Sequence, residues 1–240
     1  MTFDFTPEQQ ASVTRAREAA LRLGEAAAQA VEAQGAIPDV VRQAVKAAIG
    51  DPFAHGGACG MAVIEEVAAV VASVAVAIGL EAGTGADPQA TVIPLALPGL
   101  RGGERAVAVA ERASGAARDR GRLVVSAAAV GVGRAAVAHA VEAMKALGIK
   151  PGGDEATPYW SLADAAAEID AARLLTAEAA QNLDRGDGAA VGWARTLATG
   201  AAERAVEAAL RVAGPSGYQR GSLLERLGRD ARTLSLVLAG

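Results

Sequence analysis

The sequence predicts an all-α protein, a bundle of closely packed helices. Hydrophobic residues make up 52% of the 240 positions and aromatic ones only 3%, so the core is built from Ala, Val, Leu and Ile. Ala is the best helix former and lets helix axes approach, whereas a sheet protein would carry more Tyr, Phe, Trp and Thr. Apolar residues recur three, four or seven positions apart along most of the chain, with clusters of glycine and proline between the periodic stretches.

The first helix opens at Thr6-Pro7-Glu8-Gln9, which supplies an N-cap hydroxyl, a proline at the first helical position and a Gln three residues after the cap. It runs to about Ala33 and breaks at Gln34-Gly35. Pro38 starts a second helix carrying Val41, Val45 and Ala48, and Asp51 to Gly60 reads as a loop. A third helix, from about Met61 to Gly79, is apolar nearly all round after its acidic start and is expected at the centre of the first half. Gly83, Gly85, Asp87 and Pro88 mark a turn, and Thr91 to Leu97 is expected as one short strand. The stretch Gly103 to Arg120 is helix-compatible. A long helix is expected over Leu123 to Leu147, with two more over Ser161 to Leu183 and Ala189 to Val212, then a turn at Gly214-Pro215-Ser216-Gly217 and a last helix from Leu223 to Leu238.

The formal charge of −4 is mild and the basic residues are scattered, which leaves no nucleic-acid or membrane footprint. A single cysteine, Cys59, excludes an internal disulfide and fits a reducing compartment. No signal peptide is visible near Met1, and the apolar stretch Val67 to Leu80 is shorter than the roughly 20 residues a bilayer requires. A cytoplasmic protein is expected.

Several ordered motifs carry a resemblance. In the first half they are Asp4-Phe5-Thr6-Pro7-Glu8-Gln9, Ile37-Pro38, His55-Gly56-Gly57-Ala58-Cys59-Gly60 and Ile64-Glu65-Glu66-Val67-Ala68. In the second half they are Leu162-Ala163-Asp164, Glu168 to Arg173, Asp184-Arg185-Gly186, Gly214 to Tyr218 and Leu224 to Ala231. In order and spacing this set resembles the amino- and carboxy-terminal helical domains of the acyl-CoA dehydrogenase family. The resemblance implies a helical domain over residues 1–85, a shortened linker over 86–121 in place of a middle β-barrel, and a carboxy-terminal four-helix domain over 122–240. A barrel of six or more strands does not fit into that linker.

Family members bind FAD and oxidise an acyl-CoA to the 2,3-enoyl thioester, with a glutamate taking the α proton. In the common pattern the glutamate lies eight residues beyond the Asp of the Arg-Asp-Ala motif, and counting from Asp230 gives Leu238. In variant members it precedes an Arg-Leu-Val, here Arg122-Leu123-Val124, and that position is Gly121. Neither residue can accept a proton. The family's cofactor-contacting segment aligns with Ala146 to Ala156, which shows Leu147-Gly148 and Ala156 instead of an aromatic-glycine pair and a glutamine. By the same resemblance Gly214, Ser216 and Gly217 are the cofactor-binding candidates, although Pro215 removes one N–H donor from the Gly-Gly that approaches the pyrophosphate. No catalytic residue is assigned, and no cofactor is expected to bind this chain alone; FAD enters only by resemblance or with a partner chain.

Other signals have structural readings. Gly131-Val132-Gly133-Arg134-Ala135-Ala136 fits a dinucleotide fingerprint, but a true site needs a preceding strand, and close helix packing is the favoured account. His55 and Cys59 lack a third metal ligand nearby, and His139 reads as a helix residue satisfied by a neighbour. Glu65-Glu66 and Asp184/Asp187 are read as structural acids: the first two point apart on a helix, the second two hydrogen-bond locally in a turn. Arg229-Asp230 reads as part of an inter-helix ion pair. Tyr159, Trp160, Trp193 and Tyr218 line a pocket, anchor the core or meet another subunit.

Three roles follow: a non-catalytic partner in a homo-oligomer or in a hetero-oligomer with a full-length acyl-CoA dehydrogenase paralogue, a repurposed cyclase or isomerase acting on an acyl thioester or apolar intermediate, or a reduced dehydrogenase whose flavin and base come from another chain. The last three helices are expected to form a subunit interface.

Overall fold

The computed structural model describes residues 4–85, 96–149 and 157–239, with Thr157 and Pro158 described by backbone alone. Nine α-helices and one 3-10 turn lie among them, with no strand. In chain order they are α1 (Pro7–Gln34), α2 (Asp39–Ile49), α3 (Gly57–Ala68), α4 (Ala72–Thr84), α5 (Glu104–Ala110), α6 (Gly115–Ala146), α7 (Thr157–Asp184), α8 (Val191–Ala213), the turn Gly214–Tyr218 and α9 (Leu223–Leu236). The strand expected over Thr91 to Leu97 falls mostly on residues outside those described, and Ala96 and Leu97 are irregular. The ten residues 86–95 leave no place for a middle barrel.

The caps explain the ends of α1. Thr6 Oγ1 accepts the Gln9 N–H while Gln9 Oε1 accepts the Thr6 N–H, the reciprocal pair read from the sequence. Inside α1, Gly24 adopts φ 59° and kinks the helix. The second half of α1 meets α9 through Glu25–Arg226 and Glu32–Arg229 pairs, both 2.8 Å.

α6 is the centre of the molecule, packed against α3, α4, α7, α8 and α9. By length and composition it is apolar enough to cross a membrane, but two-thirds of its most apolar window is buried in this fold. The α6 glycines serve packing. A Cβ on Gly131 would lie 2.5 Å from Glu65 O, and one on Gly133 would lie 2.2 Å from Ile169 Cδ1.

Several expectations are corrected. The single helix over Met61 to Gly79 is two helices, broken at residues 69–71, because α3 packs on α1 and α7 while α4 packs on α2 and α5. One straight rod cannot face both sets. Residues 57–60 belong to α3, whose first N–H, that of Gly57, is accepted by Asp184 Oδ2 at 2.6 Å. Asp184 is thus a non-local cap and bridges Arg120 as well, whereas Asp187 makes the local bond expected of it, to the Ala189 N–H. α6 begins at Gly115, eight residues before Leu123, so α5 and the first turns of α6 occupy the segment read as a linker.

Glu65 and Glu66 do not diverge. Both are buried and share Arg134; Arg173 also holds Glu65 at 2.9 Å and Arg17 holds Glu66 at 2.9 Å. Burial lifts Glu65 above the usual carboxylate range, with Arg134 and Arg173 opposing it. For Glu66 burial acts upward too, but the bonds from Arg17 and the charge of Arg134 outweigh it and hold the group below that range.

Asp230 is buried in α9 and its Oδ1 accepts the Leu100 N–H at 2.7 Å, while Thr233 Oγ1 accepts the Gly99 N–H at 2.7 Å. These bonds seat residues 98–101 on α9. A Cβ on Gly99 would lie 2.4 Å from Arg229 O, so only glycine fits that close approach. Burial raises the Asp230 pKa from 3.8 to about 6, with the Leu100 N–H and Arg226 pulling the other way. A carboxyl whose folded pKa exceeds its unfolded value favours the folded chain while protonated. Stability is therefore lost as pH rises from about 4 to about 6, by about 3 kcal/mol at full ionisation. Asp230→Asn keeps an acceptor and removes the titration. The Tm difference between variant and parent is expected to move in the variant's favour from pH 4 to pH 7; a difference flat across that window contradicts the assignment.

Candidate active-site region

Gly121 on α6 and Leu238, just beyond α9, are the two positions where the resemblance places a base, and the fold brings them into contact. A Cβ on Gly121 would lie 3.0 Å from Leu238 Cδ1, 3.1 Å from Thr84 Cγ2 and 3.6 Å from Leu80 Cδ2. Gly121, Leu80 and Leu238 are all buried. The side-chain atoms that face each other there are all carbon.

Leu238 is held there against its own backbone preference. Its φ of 53° is left-handed, which costs a non-glycine residue about 1 kcal/mol. Three side chains impose it. Glu111, at the end of α5, accepts the Leu238 N–H through Oε1 at 2.6 Å, and Arg122 Nε donates to Leu238 O at 3.4 Å. Arg195, buried on α8, donates to Val237 O at 2.6 and 3.0 Å and to Ser235 O at 2.7 Å. Burial, reinforced by Arg122, lowers the Arg195 pKa from its ordinary value, since its bonds go to carbonyl oxygens. Glu111, whose charge opposes this lowering, is engaged by the Leu238 N–H and by Arg118.

This clamp is not among the features expected from the sequence. One signal was available: Arg195 falls in the buried stripe of Val191, Ala194 and Ala198, where an arginine needs a partner. Beside the clamp lies a cleft of about 310 Å³ bordered by Arg122, Trp193, Arg195 and Thr196.

The cofactor-binding candidates lie in the turn after α8. Gly214 has φ 62° and its N–H is donated to Leu210 O. Ser216 directs its hydroxyl to Ala213 O at 2.8 Å. Gly217 is buried, and a Cβ there would lie 2.9 Å from Ala213 Cβ and 3.0 Å from Leu210 Cδ2, so its lack of a side chain serves packing. With Pro215 offering no N–H, these residues do not fit a pyrophosphate cradle. Leu147 is exposed at the end of α6, and Ala156 lies outside the described residues.

Of the remaining candidates, His55 and His139 are exposed, and Cys59 is buried with its thiol donated to Gln9 O at 3.7 Å. Among the described residues no three His, Cys, Asp or Glu side chains cluster as metal ligands. Tyr159 is half-buried and donates to Ile149 O. Trp160, Trp193 and Tyr218 are 63–74% exposed, so none of the three anchors the core.

Comparisons with known proteins agree with this architecture. The family description "Acyl-CoA dehydrogenase, C-terminal domain" matches residues 111–238. The chain is 41% identical over 86 residues to cyclohex-1-ene-1-carbonyl-CoA dehydrogenase of Geobacter metallireducens, a match spanning 35% of this chain and 23% of that protein. Among solved structures it superposes on butyryl-CoA dehydrogenase from Megasphaera elsdenii with a TM-score of 0.79 at 16% identity, covering 99% of this chain and 96% of the other. It also superposes on a nitrososynthase from Micromonospora carbonacea with a TM-score of 0.75 at 16% identity, covering 97% and 93%. The motifs, the helical fold and a match over more than half the chain lead to one assignment: the chain belongs to the acyl-CoA dehydrogenase family.

Proposed function

We propose that the chain is a non-catalytic partner of a flavin-bearing acyl-CoA dehydrogenase subunit. The observation that carries this reading is the contact of Leu238 with Gly121, which fills with hydrocarbon the place where the family's base stands. On this reading residues 1–85 and 122–240 keep the family's two helical domains, 86–121 connect them, and the carboxy-terminal helices form the subunit interface. Trp160 on α7, Trp193 on α8 and Leu236 on α9 are exposed apolar groups suited to such an interface.

FAD supplies hydride acceptance wherever the family's chemistry runs. By resemblance the turn at Gly214, Ser216 and Gly217 is where this chain would meet it, and the Ser216 hydroxyl turned to Ala213 O, with the N–H that Pro215 lacks, supports a chain that does not hold the cofactor alone. The direct test is to express the chain alone and together with a full-length family flavoprotein, then desalt each sample. Alone, the chain is expected to emerge colourless; together, the two are expected to co-elute as one yellow complex. A lone chain retaining FAD one to one would overturn the reading in favour of a reduced dehydrogenase.

A second reading rests on the cleft beside Arg122, Trp193 and Arg195. Its mix of aromatic surface and cationic groups suits an acyl thioester or a related apolar metabolite, and a non-redox step there would need no flavin. A saturable ligand in that cleft, with no flavoprotein partner, is the result that favours it.

A further inference from the structure

A groove that the reading above leaves unassigned lies along α9. The kink of α1 at Gly24 carries its second half across to α9, and residues 98–101 close the third side. The groove between them has a volume of about 440 Å³, within the range of small-molecule sites.

Its charge is unevenly spent. Four arginines and three glutamates line it. The glutamates are all taken: Glu25 by Arg226 at 2.8 Å, Glu32 by Arg229 at 2.8 Å, and Glu225 by Arg229 at 2.7 Å. Arg226 is buried and Arg229 also donates to Pro98 O, so both are fixed in the groove wall. Arg101 and Arg220 are different. Both are exposed; Arg220 stands near enough to Glu225 to help hold that carboxyl below its usual range, but among the described residues neither arginine is hydrogen-bonded to a carboxylate. The groove thus carries surplus positive charge on a chain whose net charge is −4. Gln29 and Ser222 add polar edges, Ala33 and Pro98 an apolar floor.

We propose that this groove binds a small molecule carrying a phosphate or carboxylate group on a partly apolar body, with Arg101 and Arg220 receiving the anion. Guanidinium groups pair with both kinds of anion through paired N–H donors, and the locked glutamates exclude a cation from the same space by being neutralised already. The proposal does not depend on whether the chain has a flavoprotein partner.

The test is calorimetric titration of the full chain with inorganic pyrophosphate and, separately, with succinate, at constant ionic strength. Saturable binding of either is expected, and which of the two binds more tightly identifies the anion as phosphate or carboxylate. The double variant Arg101→Gln/Arg220→Gln, both positions exposed, is expected to weaken binding by at least about tenfold. Arg211→Gln, which lies outside the groove, is expected to leave binding unchanged. Absence of saturable binding to both probes overturns the proposal, as does equal binding by the double variant with its helical circular dichroism intact.

Discussion

Replacing Arg134 with methionine is expected to destabilise the chain by about 3 kcal/mol, a fall in Tm of roughly 6–12 °C for a chain of this size. The buried carboxylates Glu65 and Glu66 are neighbours in sequence, and the Arg134 guanidinium touches both. Removing it leaves, among the described residues, two buried anions with one bonded cation each, Arg173 for Glu65 and Arg17 for Glu66. Breaking a buried pair typically costs about 3–5 kcal/mol; the lower end applies because the Arg134 side chain is 35% exposed. Without Arg134 both carboxyls lose a charge that favours ionisation, so their folded pKa values rise. The loss is then fully present at pH 8 and shrinks toward pH 5 as the groups take up protons. Urea unfolding of parent and variant at the two pH values checks this. An equal loss at both would show that Arg134 acts through packing alone.

The second large effect comes from one methyl group. Gly131→Ala improves helix propensity by up to about 1 kcal/mol, yet the added Cβ would stand 2.5 Å from Glu65 O and 3.0 Å from Ala69 N, both backbone atoms of the α3 segment. Backbone cannot swing aside as a side chain does, so α3 and α6 must separate. Overpacking of this kind costs about 1–3 kcal/mol, and the clash with main chain places this case at the upper end, for a net loss of about 2 kcal/mol. Gly200→Ala on α8 is the contrast. Its nearest neighbour is the Arg204 guanidinium at 3.1 Å, the far end of a flexible side chain, so the propensity gain survives and about 0.5–1 kcal/mol of added stability is expected. If the two variants shift the urea midpoint in the same direction, the close approach of α3 and α6 is not what Gly131 provides.

The helices were legible because their ends carry local chemistry. Thr6, Gln9 and Gly35 mark α1 by themselves, and Ser222 caps α9 by accepting the Glu225 N–H. The break between α3 and α4 was not legible, because Ala69, Val70 and Val71 contain neither glycine nor proline, and the turn is imposed by what each half packs against. The early start of α6 did have a signal, Ser114 before Gly115, which the long apolar run downstream outweighed. At the candidate site the identities of Gly121 and Leu238 were readable by resemblance. Their contact was not, nor were the clamp by Glu111, Arg122 and Arg195 and the pairing of Glu65 and Glu66 with Arg17, Arg134 and Arg173. Those partners lie 39 to 127 residues apart for the clamp bonds of Arg195 and Glu111 and 49 to 108 for the acids, and no local pattern specifies such distances.

Acyl-CoA oxidation by the purified chain is the measurement closest to the central claim. Chain, FAD, an acyl-CoA and an artificial electron acceptor are mixed, and enoyl product is followed over time. With hydrocarbon at both base positions, general-base assistance worth about 10²- to 10⁴-fold is missing. The rate is expected to equal that of the same mixture without the chain. Chain-dependent turnover, proportional to the amount of chain added, would contradict the account and return Leu238 and Gly121 to the status of ordinary variation in a working enzyme.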